Sequence, residues 1–256
     1  MAEPWAQGPV LVTGGTGLVG LGIARAFLAV GAPAILVGST ASRAARAIES
    51  LGGKAEVALA DVSDPAAIGP LFADIAARHG PPAVLVNAAG INFNKLIGET
   101  TVEDFERVMA VNARAAFLCS RAACEAMVAR GIRGRIVNVT SGNFRYVRPG
   151  SALYSASKAA LAMLTQGFAL EYGRHGIAVN ALAPGLVDRP GSTDPNFLAI
   201  ADYYRGRSAG RRLVSADEVG EAVLFLASSR AAGMTGEVIV LDGGFSFGRP
   251  DFPRHA

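Results

Sequence analysis

The sequence predicts an α/β fold, a single domain built on a doubly wound parallel sheet. Three observations point there. Strand-like and helix-like segments alternate almost from end to end of the 256 residues. The strand-like segments are short, rich in Val and Ile and apolar at successive positions, as in strands covered on both faces. A glycine-rich turn, "TGGTGLVG" at residues 13–20, joins the first strand to the first helix. Hydrophobic residues make up 51% and charged residues 18%, which excludes a disordered chain.

The elements follow in order. "PVLVT" leads through the glycine turn into a helix ending near residue 30. "AILVG" precedes the alanine-rich helix "ASRAARAIESLG". "KAEVALADV" precedes the helix "DPAAIGPLFADIAARHG", where Asp64 reads as N-cap because Pro65 suits the first helical position. "PAVLVNAAG" is followed by a long helical region from residue 102 to about 129. "GRIVNVTS" leads to a helix from about 152 to 174, then to the strand "GIAVNALAPG". "SADEVGEAVLFLASS" is a helix with an acidic first turn, and "GEVIVLDGG" closes the sheet. Crossovers are expected to be right-handed. The least regular stretch, residues 186–213, mixes Gly, Pro, Asp and Arg around "NFLAIADYY" and is expected to form a substrate lid. Residues 245–256 read as a C-terminal tail.

Bulk charge and cysteine usage narrow the function classes. The net charge is only +3. The arginines are scattered apart from Arg205, Arg207, Arg211 and Arg212, which read as part of a loop or subunit contact. No nucleic-acid partner is expected. Cys119 and Cys124 stand five apart on one helix without His or Cys neighbours at metal spacing, so they read as packing residues and no metal is expected. The N-terminus lacks a basic segment followed by an apolar core, and no apolar run is suited to span a bilayer. The expectation is a soluble cytoplasmic protein with no membrane partner.

Glycines at the density of the first turn mean that backbone must come very close to something. In a doubly wound, Rossmann-like sheet the ligand lies beyond the carboxyl ends of the strands, with its pyrophosphate against the first helix N-terminus. Gly14, Thr16, Gly17, Leu18, Val19 and Gly20 are the candidate contacts of such a dinucleotide. NAD-selecting chains place an acid just after the second strand, to accept from the adenosine ribose and repel a 2′-phosphate. Here Gly38, Ser39 and Thr40 follow that strand, and Arg43 is near enough to meet a phosphate. The reading therefore favours NADP(H) over NAD(H), the alternative for Arg43 being a solvated helix face. Asp61 ends the third strand, where it either accepts from the adenine amino group or caps the next helix.

The chemistry centres on "YSASK", which places Tyr154 and Lys158 four apart on one helix face. Ser141 ends the preceding strand. A phenol with a pKa near 10 is a poor acid or base at neutral pH. A neighbouring ammonium favours the phenolate and lowers that value. Tyr154 then exchanges a proton with an alcohol or carbonyl oxygen, Ser141 orients that oxygen, and Lys158 supports both phenol and nicotinamide ribose.

These segments together resemble the short-chain dehydrogenase/reductase family, in its short branch. The likeness runs from about Val10 to Gly244 and is carried by "TGGTGLVG", "DV" at 61–62, "NAAG" at 87–90, Asn112 in "VMAVNARAAF", Ser141, "YSASK", "NALAPG" at 180–185 and "MTGEVIVLDGG". It implies a tetrad of Asn112, Ser141, Tyr154 and Lys158, with Asn112 supporting a water that links Lys158 to solvent. It implies cofactor contacts at Asp61, Val62, Asn87, Ala88, Ala89 and Gly90, and from Pro184, Gly185 and Val187. It also implies a homotetramer with the tail near a subunit interface. Two positions depart from the pattern. Leu18 stands where short members place their middle glycine, so that Gly14, Gly17 and Gly20 have the spacing of the extended branch. Arg189 stands where a Thr is common.

Three other signals read as incidental. "GRSAG" at 206–210 has the form of a hydrolase nucleophile turn but lies in the irregular stretch without a strand before it. "NVT" at 138–140 has the form of a glycosylation site on a buried strand. His79 and His175 sit at helix ends and His255 in the tail. The expected function is an NAD(P)-dependent oxidoreductase interconverting a secondary alcohol and a ketone. The alternatives are a 3-oxoacyl-carrier reductase and a non-catalytic cofactor-binding regulator. Arg145, Arg148 and Arg189 permit an acidic or polyhydroxylated small-molecule substrate.

Overall fold

The computed structural model describes residues 2–247. Its seven strands are β1 (Val10–Thr13), β2 (Ala34–Gly38), β3 (Glu56–Leu59), β4 (Val84–Asn87), β5 (Arg135–Val139), β6 (Ala178–Pro184) and β7 (Val238–Leu241). They form one all-parallel sheet in the order β3-β2-β1-β4-β5-β6-β7. In the register of the central strands, Val12 lies beside Leu36 on one side and Val86 on the other. The helices are α1 (Leu18–Ala29), α2 (Ala41–Ser50), α3 (Pro65–His79), α4 (Val102–Met109), α5 (Ala115–Ala129), α6 (Ala152–Tyr172), α7 (Pro195–Arg207) and α8 (Ala216–Ala227).

Successive side chains of a strand point to opposite faces, so each central strand feeds two cores. Val10, Val12, Leu36, Val84, Val86, Val137 and Leu182 pack with Ile23 and Phe27 of α1 and Val219, Val223 and Leu226 of α8. Leu11, Ile35, Val37, Leu85, Ile136 and Val179 pack with α3, α5 and α6, among them Ile75, Met127 and Phe168. Cys119 and Cys124 are free and both enter this second core, where burial pushes each thiol up to about 12.

Several boundaries differ from the sequence reading for physical reasons. The edge strands are not covered on both faces: Leu59 of β3 is 58% exposed and Ile239 of β7 is 37% exposed, because an edge has a neighbour on one side only. The region from 102 to 129 is interrupted by one π-helical turn, Ala110–Arg114, between α4 and α5. The stretch 186–213 contains the thirteen-residue helix α7, capped by Asp194. It has a small core of its own made by Phe197, Ala201, Tyr204 and Leu213 against Leu186 and Phe245. Asp64 caps α3, accepting from the Ala66 N–H at 2.9 Å. The basic cluster makes contacts within the chain: Arg205 with Asp188 and Asp202, Arg212 with Glu218, and Arg207 over the Tyr203 ring. Of the tail, residues 248–256 and His255 lie outside the described residues.

Candidate active site

A cleft of about 650 Å³ opens over the carboxyl ends of the strands, where the order reverses between β1 and β4. One end is the glycine turn. Gly14 has a φ of +65°, and a Cβ there would lie 2.7 Å from the Ala89 backbone, so this turn and the loop after β4 touch main chain to main chain. A Cβ on Gly20 would lie 2.5 Å from the Gly15 Cα, which fixes the first turn of α1 against the loop. Gly17 is the N-cap of α1 and has no side chain with which to occupy the first N–H groups. Those donors face the cleft with the positive end of the helix dipole, an arrangement suited to a pyrophosphate. Leu18 is 42% exposed and lines the cleft, so its side chain meets no backbone that would demand glycine.

The other candidate cofactor residues divide into two groups. Gly14, Thr16, Gly17, Leu18, Val19, Gly20, Ser39, Arg43, Asp61, Val62, Ala88, Ala89, Gly90, Gly185 and Val187 line the cleft. Thr40, Asn87 and Pro184 do not. Thr40 is the exposed N-cap residue of α2, and Pro184 is the buried last residue of β6. Asn87 shares the face of Leu85 and points under the sheet. There its Nδ2 donates to Ser120 Oγ at 2.9 Å and to Asn138 Oδ1 at 2.8 Å. Asp61 lines the cleft and accepts from the Ser63 N–H and hydroxyl, while the capping role belongs to Asp64. At the end of β2, a Cβ on Gly38 would come 2.7 Å from the Thr16 side chain, so an acid at that position would have to displace Thr16.

Ser141 and Tyr154 line the cleft, whereas Asn112 and Lys158 are buried behind its wall. Lys158 Nζ donates to Val139 O at 3.1 Å and lies 5.9 Å from the Tyr154 ring centroid. The π turn carries Asn112, whose Oδ1 accepts from the Ile91 N–H at 2.8 Å. Its Nδ2 donates to Ile91 O at 3.1 Å and to Ser157 Oγ at 3.0 Å. Lys158 Nζ and Asn112 Oδ1 converge beside Gly90, where a Cβ would lie 3.3 and 3.4 Å from them. Ile91 and Ser157 escaped the sequence reading, although Ser157 lies inside "YSASK" and Ile91 directly follows "NAAG".

Burial dominates the electrostatics here. Desolvation drives Lys158 down to about 8. Desolvation also raises the Tyr154 phenol above its ordinary value, with the Ser141 hydroxyl and the Arg148 charge acting against it. The expected lowering of Tyr154 by Lys158 is therefore not a property of the protein alone, because both groups are held out of water. On the same wall, Tyr146 is likewise raised, first by burial and then by its hydrogen bond with Tyr204. "GRSAG" ends α7, and Ser208 is a buried C-cap whose hydroxyl donates to Arg212 O, so it is no nucleophile turn. Asn138 is buried in β5, and His79 pairs with Glu56 at 2.9 Å.

Comparison with known proteins agrees with this geometry. Residues 17–246 match the family model described as enoyl-(acyl carrier protein) reductase. Gluconate 5-dehydrogenase of Gluconobacter oxydans is 34% identical over 244 residues, covering 92% of this chain and 93% of its own. A (3R)-3-hydroxyacyl-CoA dehydrogenase of Canis lupus familiaris is 35% identical over 194 residues, 75% of this chain and 74% of its own. Among solved structures, a gluconate 5-dehydrogenase from Burkholderia cenocepacia in complex with NADP and tartrate superposes with a TM-score of 0.85. It is 31% identical over 94% of this chain and 95% of its own. With a seven-stranded sheet, a cleft at its switch point and relatives along nearly its whole length, the chain belongs to the short-chain dehydrogenase/reductase family and is an NAD(P)-dependent oxidoreductase that interconverts secondary alcohols and ketones.

Proposed function

We propose that Tyr154 is the general acid/base of this oxidoreductase and that NADP(H) is its preferred cofactor. The observation that carries the catalytic assignment is the convergence of Ser141 and Tyr154 on one stretch of cleft wall, with Lys158 and Asn112 buried directly behind. A bound nicotinamide dinucleotide supplies or accepts the hydride. The protein handles the proton: Tyr154 gives it to the carbonyl oxygen in reduction and takes it from the hydroxyl in oxidation. Ser141 donates to that same oxygen and holds it in line. Lys158, held by Val139 O, opposes the charge that develops on the phenol. Asn112 is a positioning residue that ties the π turn to Ile91 and leaves its Oδ1 beside the Lys158 ammonium.

The cofactor preference is supported by Arg43 and Ser39 on the cleft wall and by glycine rather than an acid at position 38, where a side chain would press on Thr16. The dinucleotide would be held by Gly14 to Gly20 along its pyrophosphate and by Gly185 and Val187 near the nicotinamide. Residues 186–213 form the substrate lid, with Tyr204 of α7 on the cleft wall. A homotetramer is supported by the apolar side chains left on the outer helices: Phe105 is 52%, Met163 67% and Leu170 85% exposed. Among the described residues no helix is long and apolar enough to cross a membrane; a cytoplasmic location is part of this reading. Reduction of a 3-oxoacyl group is the second reading, favoured by the hydroxyacyl relative, and uses the same four residues.

The test is Tyr154→Phe, assayed by nicotinamide absorbance on a panel of ketones and polyols with NADPH and NADH. Turnover should fall by about 10²–10⁴-fold, while NADPH still binds by fluorescence titration. Undiminished turnover would remove the assignment. A wild-type preference for NADH would overturn the cofactor reading.

A further inference from the structure

The three arginines with access to an acidic substrate have different placements. Arg145 lies over the Phe144 ring, 4.8 Å from its centroid, and does not line the cleft. Arg189 lines the lid side but is exposed, its guanidinium 4.8 Å from the Phe197 centroid. Arg148 is half-buried on the wall at the reacting end, and its charge reaches both phenols there, Tyr154 and Tyr146.

The position of Arg148 is built. Its Nη1 donates to Asn94 Oδ1 at 3.1 Å. Its backbone N–H donates to the fully buried Ser151 Oγ at 3.0 Å. The facing loop is pinned by Lys95 N–H donating to Gly150 O at 2.8 Å. Gly150, at φ +79°, makes the room Asn94 needs, since a Cβ there would lie 2.5 Å from Asn94 Oδ1. Among the described residues no carboxylate lies within ion-pair distance of Arg148. The two acids on the cleft wall have other engagements: Asp61 accepts from Ser63, and Asp194 caps α7. Polar groups of the cleft wall include the Asn143 amide and the Tyr146 phenol, suited to hydroxyl groups. The Asp242 carboxylate, whose charge reaches Tyr146, accepts from the Gly244 and Ser246 N–H groups.

A guanidinium held by one neutral amide keeps a planar fork of donors for a two-oxygen anion. We propose that Arg148 anchors the carboxylate of the substrate, and that this enzyme acts on a hydroxy acid and its keto acid. The carboxylate lies at the Asn94–Arg148 end of the cleft while the reacting carbinol carbon sits at Ser141 and Tyr154. This rests on the oxidoreductase reading of the same cleft. It separates the acid from the neutral thioester of the second reading.

The test uses matched acid and neutral pairs, each oxidised with NADP⁺ and with NAD⁺: lactate and propane-1,2-diol, 3-hydroxybutyrate and butane-1,3-diol, gluconate and glucitol. The wild type should favour the acid of at least one pair by about tenfold or more in kcat/KM. Arg148→Gln should lower kcat/KM on that acid by about ten- to hundredfold, chiefly through KM, and bring the pair close to parity. Arg148→Lys should restore part of the preference, since it keeps the charge without the fork. An unchanged melting temperature and NADPH affinity in Arg148→Gln show that the fold is intact. Equal or better use of the neutral partners throughout, or loss of acid preference in Arg189→Gln instead of Arg148→Gln, overturns the proposal and leaves the oxidoreductase reading standing. Turnover of no pair with either cofactor removes that reading and the proposal with it.

Discussion

At the scale of single residues, Lys158 is the most consequential group. Buried and driven down to about 8, it binds its proton less tightly in the folded chain than in the unfolded one. Between about pH 8 and 10.5 the unfolded state therefore holds more protons, and stability rises with pH. Below about pH 8 the cost of charging a buried ammonium is present in full. From pH 7.5 to 9.5 that cost should shrink by about 2 kcal/mol, at most about 1.4 kcal/mol per pH unit. The two buried thiols pull the other way above pH 9, because their folded values near 12 keep them protonated longer than in the unfolded chain. The lysine contribution is thus read as the difference between wild type and Lys158→Met in urea denaturation at the two pH values. A difference that does not change with pH would mean that Lys158 titrates normally. At the ribose end, Arg43→Ala should weaken NADPH binding by about tenfold, the loss of one charge-assisted contact, and leave NADH binding unmoved. Equal weakening of both would assign Arg43 to the adenosine rather than to a phosphate. Asn87 shows why a motif cannot by itself assign a contact. "NAAG" signals the loop, but the two-residue period of β4 turns Asn87 away from the cleft while Ala88, Ala89 and Gly90 form its wall.

At the scale of elements, the cofactor end depends on how closely α1 approaches α8. A Cβ on Gly22 would collide with the Ala216 carbonyl, and one on Gly220 with the Gly22 carbonyl. Main chain therefore meets main chain where the helices cross, and α1 is seated with its N-terminus at the cleft. Gly220→Ala should destabilise the fold by about 1–3 kcal/mol through overpacking. That corresponds to a fall in melting temperature of about 3–10 °C, and NADPH affinity should fall with it as the turn shifts. An unchanged melting temperature would show that the helices can slide apart freely. The start of α8 was legible from its acidic first turn, and the structure adds a capping box of Ser215 and Glu218, in which Arg212 and the Ser215 contacts hold the Glu218 carboxyl at about 2. Helix α7 was not. Its buried apolar residues meet Leu186, Leu213 and Phe245, a small core brought together by the fold, so no long periodic stripe marks it locally. The π turn was equally hidden, because one extra residue per turn leaves the composition of a helix unchanged.

At the scale of the whole molecule, Met163 and Leu170 stand largely exposed one above the other on α6, an apolar face that a second subunit would cover. If the proposed homotetramer uses this face, Met163→Glu with Leu170→Glu should shift it to smaller species in light scattering. A wild type that is already monomeric would end that proposal. The sequence by itself determined the sheet, the order of its elements and the glycine turn, and it supplied the candidates for the reacting side chains. The elements follow from local rules, periodicity and turn chemistry, and the candidate side chains from the family resemblance that the motifs carry together. Only the tertiary structure decided which of those residues reach the cleft. It placed Lys158 and Asn112 behind the wall, turned Asn87 and Arg145 away, and brought Arg148 to the reacting end beside Asn94, fifty-four positions earlier in the chain. Direction and burial depend on packing between distant segments, and a linear pattern does not encode which face each neighbour will cover.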